Sequence, residues 1–418
     1  MPQLNPDSQR RFALDVVRKL RRAGFAAYWA GGCVRDQLLG RTPKDYDVVT
    51  DATPDAIRQL FGPRRSLAIG AAFGVITVIG PEGAGQIEVA TFRCDADYSD
   101  GRHPDSVHFS TARDDASRRD FTINGIFYDP IGRRVIDFVE GRKDLARRVI
   151  RAIGDPRQRI GEDKLRMLRA VRFAATFGFA LDPATFEAVR AMAPQITVVS
   201  PERIAAEIER MLIDSNRAAA VRLLVATGLG AAVLPEVLSE DDDRLEPTLA
   251  ILGQLDRPGF ALALAGLLHR HVDAAQARRV CKRWRLSNHD TSRVAWLVEH
   301  QSSLRGAPAA PWSRVQPILI APGADDLLAL NEAAARAGCA EVHADEIAWC
   351  RAKRSLPPDQ LDPPPLLTGD DLIRHGVPQG PAYRALLEKI RRAQLDSQIH
   401  AKTEALDLVD QWLEAGEA

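Results

Sequence analysis

No stretch of this 418-residue chain comes near the roughly 18 consecutive apolar residues that a membrane-crossing helix needs, so a soluble protein with no membrane partner is expected even at 45% hydrophobic content. The polar start Met1-Pro-Gln-Leu-Asn-Pro-Asp-Ser8 lacks the apolar centre of a secretory leader, which points to the cytoplasm. Cys-X-X-Cys spacing is missing too, and the five cysteines, Cys33, Cys94, Cys281, Cys339 and Cys350, are an odd number. Neither a disulfide framework nor a cysteine zinc site is expected, and the thiols read as reduced and mostly structural. No fixed-period repeat runs through the chain. Net charge is absent as well, with 56 basic and 56 acidic residues. The distribution is uneven, however. From Arg133 to Arg172 thirteen basic residues face six acidic ones, a local stripe able to follow a phosphate backbone on a neutral protein.

At this length two or more domains are expected. A helix over 8–23 ends at Gly24, and a strand over 25–30 feeds the pair Gly31-Gly32, with a second helix behind it. The β-branched runs 74–80 and 86–93 read as strands joined by a hairpin at 81–85. After about residue 151 the strand signals stop and alanine, leucine, arginine and glutamate recur at helical spacing, as in 163–177 and 201–213. Proline and glycine mark linkers at 306–311, 321–323 and, most strongly, 356–365, read as the hinge of a C-terminal tail. The expected fold class is α+β, a small mixed-sheet head followed by helices.

Asp45 and Asp47 carry the strongest chemical signal. Two carboxylates one residue apart on a strand point to one face and can clamp Mg²⁺. Upstream, Gly31 and Gly32 let a triphosphate approach the main chain without a Cβ in the way, and Arg35 lies one turn into the following helix. Glu88 faces alternately to Ile87 and Val89 and is a candidate third carboxylate near the metals, or equally an exposed strand position. In Arg118-Arg119-Asp120-Phe121-Thr122-Ile123-Asn124, guanidinium forks match phosphate oxygens and a carboxylate can accept from a ribose hydroxyl. In Glu162-Asp163-Lys164-Leu165-Arg166-Met167-Leu168-Arg169-Ala170-Val171-Arg172, Asp163 and Arg166 are one helical turn apart. A carboxylate facing an exocyclic amino group beside a guanidinium facing a ring nitrogen accepts cytosine or adenine and rejects uracil or guanine. At 100° per residue Arg172 lies opposite Asp163, which suits it to phosphate or RNA contact instead. Ser200-Pro-Glu-Arg-Ile204 reads as a capping box.

Together these segments resemble the nucleotidyltransferase family that contains class II CCA-adding enzymes and bacterial poly(A) polymerases. The resemblance is strong over 25–215 and looser beyond, where Cys281-Lys-Arg-Trp-Arg-Leu-Ser-Asn288 and Leu367-Thr-Gly-Asp-Asp-Leu372 resemble body and tail segments. It implies a nucleotidyltransferase head (1–148), a base-reading helical neck (149–215), a helical body (216–355) and a tRNA-binding helical tail (356–418). It implies that Arg119 contacts the nucleotide, Asp120 the sugar, Asp163 and Arg166 the base, and that Arg169 and Arg172 add nucleotide contacts. The activity implied is two-metal, template-independent addition of CCA to tRNA from CTP and ATP with Mg²⁺, and no obligate protein partner is evident. CC-only addition, A-only addition and poly(A) synthesis share the chemistry, and a non-catalytic RNA-binding protein is the rival of another class. Asp137-Phe-Val-Glu-Gly-Arg-Lys-Asp-Leu145 resembles the segment joining head to neck, and residues 93–105 resemble a mobile loop of the CCA-adding enzymes. The run Leu267-Leu-His269-Arg270-His271 differs from a His-Asp hydrolase centre, because Arg270 stands where a metal-ligating aspartate is needed, and its histidines read as helix-surface residues.

Overall fold

Asn5 and Pro6 open the first helix, α1 (Pro6–Arg22), because the Asn5 side chain accepts from the N–H groups of Asp7 and Ser8 while the proline fixes the first helical φ. The start therefore lies before residue 8, where apolar periodicity alone places it. Ala13, Val16, Val17 and Leu20 bury one face. The computed structural model describes residues 5–70, 73–95, 107–238, 244–378, 380 and 382–415. Two compact units divide the chain, 1–241 and 242–418.

In the first unit the chain continues through β1 (Ala27–Ala30), α2 (Gly32–Leu38), β2 (Asp47–Thr50), α3 (Pro54–Phe61), β3 (Ser66–Leu67), β4 (Val75–Ile79) and β5 (Gln86–Thr91). Next come β6 (Arg93–Asp95), β7 (Val107–Phe109), α4 (Ala112–Ser117), β8 (Ile126–Asp129) and β9 (Arg134–Asp137). A seven-stranded sheet runs in the order β3-β4-β5-β2-β1-β8-β9. Only β2 and β5 pair in parallel within it, so the sheet is mixed as expected. The β4–β5 hairpin forms where expected, closed by Gly80 N–H donating to the Gly85 carbonyl. Ala30, Val49, Phe92, Ala116 and Phe127 pack into one apolar cluster that fixes β1 and β2 from beneath. Of the stretch expected to be a mobile loop, Arg93–Asp95 forms a strand paired with Val107–Phe109, and 96–105 lies outside the described residues.

The same unit then becomes helical through α5 (Gly141–Arg147), β10 (Val149–Ile150), α6 (Pro156–Glu162), α7 (Arg166–Phe177), β11 (Ala180–Leu181), α8 (Pro183–Met192) and α9 (Pro201–Leu212). Strands do not stop at 151 after all: β11 pairs in parallel with β10, a two-residue ladder too short for a periodicity signal. The helix expected over 163–177 begins at Arg166, because Asp163 is extended (φ −146°) and its Oδ1 accepts from Leu165 N–H. Ser200 makes no side-chain cap, and with Arg203 at the third helical position no glutamate or glutamine is there to return the second bond of a capping box.

The second unit is helical in its described residues, and the Phe260–Leu268 helix has residues 262–268 all buried, so it sits inside the unit. That burial corrects the reading of its histidines. His269 is 7% exposed with Nδ1 against the Gly266 carbonyl, and His271 Nε2 lies 2.9 Å from Thr248 Oγ1. Among the described residues no metal-binding cluster forms around them. The proline-rich 356–365 stretch is tied down from both sides: Gln316 Nε2 donates to the Leu361 carbonyl at 3.1 Å and to Asp362 at 2.8 Å. Arg391 bonds the Pro363 carbonyl and Asp362, and Gln394 bonds the Pro364 carbonyl, fastening it to the Ala382–Leu395 helix. Leu367, Leu372, Leu386, Ile390, Ala405 and Val409 bury one another at the C-terminal end. All five cysteines are free, and burial pushes the Cys33 thiol up to about 12, so it stays protonated. No described helix is long and apolar enough to cross a membrane.

Candidate active site

Where β1 ends, Gly31 adopts φ +69° and ψ −130°, a conformation that side chains with a Cβ rarely take, and α2 begins at Gly32. A Cβ on Gly31 would also stand 3.0 Å from Arg119 Nη1, so the bare turn leaves that guanidinium at the mouth of the helix. Asp47 opens β2, paired with Ala30 on one side and Glu88 on the other. Asp45 lies just outside the strand, exposed, so the acidic pair straddles a strand end instead of sharing one strand. Burial and the charges of Asp45 and Glu88 raise the Asp47 carboxyl to about 6, with Arg119 opposing. None of these three carboxylates hydrogen-bonds or ion-pairs with another described residue.

Six arginines line the cavity in front of them: Arg35, Arg118, Arg119, Arg166, Arg169 and Arg203. Each is already paired with a carboxylate. Arg35 pairs with Asp36 at 2.8 Å, Arg118 and Arg119 with Asp115 at 2.7 and 3.1 Å, Arg169 with Asp120 at 2.6 Å and Arg203 with Asp163 at 2.7 Å, while Arg166 pairs with Glu162. Asn124 ties two motifs together, its Oδ1 accepting from Arg35 Nη1 at 2.7 Å and its Nδ2 donating to Asp120 Oδ1 at 3.0 Å. Asp120 is 8% exposed and accepts four bonds, from Phe121 N–H, Asn124 and twice from Arg169. Burial alone would raise its carboxyl, but the Arg169 charge and these donors outweigh it and hold it down at about 2.

At the other end Asp163 and Arg166 flank the start of α7. Arg166 Nη1 donates to Glu162 and to the Arg159 carbonyl at 2.7 Å, and Nη2 reaches the Arg118 carbonyl at 3.3 Å. The ring of Phe173 lies under three guanidinium groups, those of Arg35 and Arg169 at 5.3 Å and Arg172 at 4.1 Å from its centroid.

One cavity of about 610 Å³ gathers Gly31, Gly32, Arg35, Asp45, Asp47, Arg119, Asp120, Asp163, Arg166 and Arg169, together with Arg118, Asn124, Leu165, Phe173 and Arg203. Neither Glu88 nor Arg172 is among the described residues lining it. Arg172 turns instead to the buried Glu207 on α9; Asp163 stands outside α7, so the 100° reckoning between the two does not apply. Asp115 and Arg203 went unread in the sequence as site residues, and Asn124 was quoted only as part of its motif. Asp115 lies just outside the motif that begins at Arg118, and Arg203 lies 40 residues from its partner.

Could these residues hold a metal? Among the described residues no three such side chains converge into a ready-made cage. Asp45 and Asp47 form a pair of oxygen donors whose mutual repulsion a hard divalent cation would relieve, with its other positions left for substrate oxygens, as magnesium prefers. The donor set fits.

Known proteins resemble this chain along most of its length. The family described as "Poly A polymerase head domain" matches residues 27–151, and "Probable RNA and SrmB- binding site of polymerase A" matches 178–240. The CCA-adding enzyme of Geobacillus kaustophilus (strain HTA426) is 34% identical over 409 residues, covering 94% of this chain and 95% of its own. That of Geobacillus stearothermophilus is 32% identical over 401 residues with the same coverage. The crystal structure of the Bacillus stearothermophilus CCA-adding enzyme in complex with CTP superposes with a TM-score of 0.81 at 29% identity, covering 99% of each chain.

Proposed function

The chain belongs to the family of CCA-adding enzymes, and from that premise we propose that the cavity is where it extends the 3′ end of tRNA with CTP and ATP. It is a nucleotidyltransferase, and its family's chemistry depends on a divalent metal. The observation that carries the reading is the gathering of a carboxylate pair, a cationic wall and an Asp–Arg pair in one cavity.

Gly31 and Gly32 offer backbone N–H groups to the triphosphate, and Arg119 with Arg35 supplies positive charge beside them. Asp45 and Asp47 would hold the metal, taken here to be Mg²⁺, which when bound neutralises phosphate charge and makes the tRNA 3′-hydroxyl easier to deprotonate. The attacking oxygen displaces pyrophosphate, so the chain's own contribution is positioning and charge complementarity. All four bonds at Asp120 are taken by protein donors, so a ribose hydroxyl would have to share an oxygen with one of them.

Base choice falls to Asp163 and Arg166. Asp163 is held by Leu165 N–H and Arg203, which leaves lone pairs for an exocyclic amino group, and Arg166 keeps an Nε that bonds no described residue. Cytosine and adenine share that amino-donor and ring-acceptor edge. The exposed basic residues between Arg133 and Arg157 would meet the tRNA backbone. A cytoplasmic place of work accords with five free cysteines.

Labelled CTP and ATP, supplied separately and together to a tRNA transcript lacking its CCA end, test the reading. Two C additions, one A and then arrest are expected. C alone, A alone or an unending A tail would select a partial-activity or poly(A) enzyme, and no incorporation would overturn the proposal.

A further inference from the structure

The carboxylate that anchors two of the six cavity arginines never reaches the cavity itself. Asp115, on α4, is wholly buried, at 0% exposed. Three and four residues before Arg118 and Arg119, which follow directly on the end of α4, it meets both guanidinium groups. Its Oδ1 accepts from Nε and Nη2 of Arg118 at 2.9 and 2.7 Å, and its Oδ2 from Nε and Nη2 of Arg119 at 3.3 and 3.1 Å. Each oxygen thus takes the same edge of one guanidinium. Burial favours its neutral form, but the charges of Arg119 and Arg118 outweigh that and keep the carboxyl below its ordinary range.

The consequence falls on Arg119. With Nε and Nη2 held from behind, its Nη1 donates to the Asn124 carbonyl at 3.3 Å and stands where a Gly31 Cβ would meet it. The face of the Phe127 ring lies 5.2 Å from its guanidinium carbon. An arginine side chain has several rotatable bonds and would otherwise sample many directions, so a fork fixed on three sides is presented to a ligand with little entropy left to lose.

We infer that Asp115 is a positioning residue for nucleotide binding, a single buried carboxylate that sets Arg118 and Arg119 in the orientation in which they meet the triphosphate without touching it. This rests on the reading of the cavity as a nucleoside triphosphate site. A carboxylate that merely stabilised the fold would give the same hydrogen bonds, so the test must separate orientation from stability.

Asp115→Asn keeps the shape and removes the charge, leaving one arginine opposite an amide NH₂ that cannot accept. The expected result is a KM for CTP and ATP raised about 10- to 100-fold, with kcat and the KM for tRNA near wild type. Asp115→Glu, which restores the charge, should recover part of the loss. If Asp115 acts through the arginines, the Arg118→Ala/Arg119→Ala double variant and the same variant with Asp115→Asn added should share one nucleotide KM. That comparison does not need Asp115→Asn to fold by itself; because the double variant leaves the buried Asp115 carboxylate without partners, circular dichroism and the unchanged KM for tRNA first show that the double and triple variants are folded. Unchanged nucleotide KM in Asp115→Asn with only a lower melting temperature would overturn the inference, as would further weakening in the triple variant. Wild-type protein on the same transcript is the control: no incorporation there refutes the proposed function, whereas normal incorporation with a wild-type-like Asp115→Asn refutes only this inference.

Discussion

Arg169 places two nitrogens, Nε and Nη2, on one oxygen of Asp120, at 2.8 and 2.6 Å, across 49 residues of chain. The bond joins α7 to the arginine-rich motif that follows α4. Truncating it with Arg169→Ala leaves a nearly buried carboxylate without its main partner, at a cost of about 3–5 kcal/mol. Chemical denaturation should show the loss. The sign of its pH dependence follows from a folded value depressed to about 2: the stabilisation is full above the unfolded value of 3.8 and is lost as pH falls toward 2. Acid unfolding of the variant should accordingly begin at higher pH, and an unchanged acid midpoint would contradict the assignment.

Asp45→Ala and Asp47→Ala should each lower nucleotide incorporation by on the order of 10³-fold or more, since either removes a ligand from a two-carboxylate metal site. Binding of tRNA, followed by filter retention or band shift, should stay within about twofold of wild type, because neither carboxylate favours an RNA backbone. Incorporation surviving both changes would mean the metal is held elsewhere.

Asp163→Ala removes the acceptor that faces an exocyclic amino group. The rate of CTP and ATP addition should drop by about 10- to 100-fold, the range set by roughly 1–3 kcal/mol for a paired base contact. UTP and GTP should gain relative to them. Arg203→Ala, which frees the Asp163 side chain without removing it, should produce a smaller shift in the same direction. Equal losses for all four nucleotides would show that Asp163 shapes the cavity and does not read the base.

His269 offers a pH signature in the second unit. Burial lowers its ring to about 4, below the ordinary 6.5, so the unfolded chain takes up a proton first. The associated stability is complete above pH 6.5 and is lost as pH falls from 6.5 toward 4, amounting to about 3 kcal/mol at most. Thermal unfolding at pH 7.5 and 4.5 should differ less in His269→Gln than in wild type. An equal difference would mean the ring titrates as it does in water.

What could be read in advance was local. Gly31, Asp45 and Asp47 sit within seventeen positions of one another, and their chemistry depends on spacing that a sequence displays. The pairing of Arg172 with Glu207 did not follow from 100° per residue, because Asp163, from which that angle is reckoned, lies outside α7. Contacts between distant segments were out of reach. Arg203 meets Asp163 across 40 residues, and the central place of Asn124 depends on Arg35, 89 residues away. Local rules misled where tertiary context overrode them. Asp163 caps a turn instead of joining a helix, His269 is drawn into the interior by a helix apolar on every side, and 356–365 looks like a linker until Arg391 and Gln394 claim its carbonyls.

The pairing of every cavity arginine with a carboxylate bears on how fast, as well as how tightly, a nucleotide arrives. Seen from beyond a Debye length of about 8 Å, the six arginines, their five carboxylate partners (Asp115 serving two) and the unpaired Asp45 and Asp47 leave about one net negative charge before a cation binds, so an approaching triphosphate is steered weakly and its encounter rate should vary little with ionic strength. At contact the guanidinium edges not used by the carboxylates act individually. Selection among nucleotides would then be expressed in residence time: all four triphosphates enter at similar rates, and the wrong ones leave sooner.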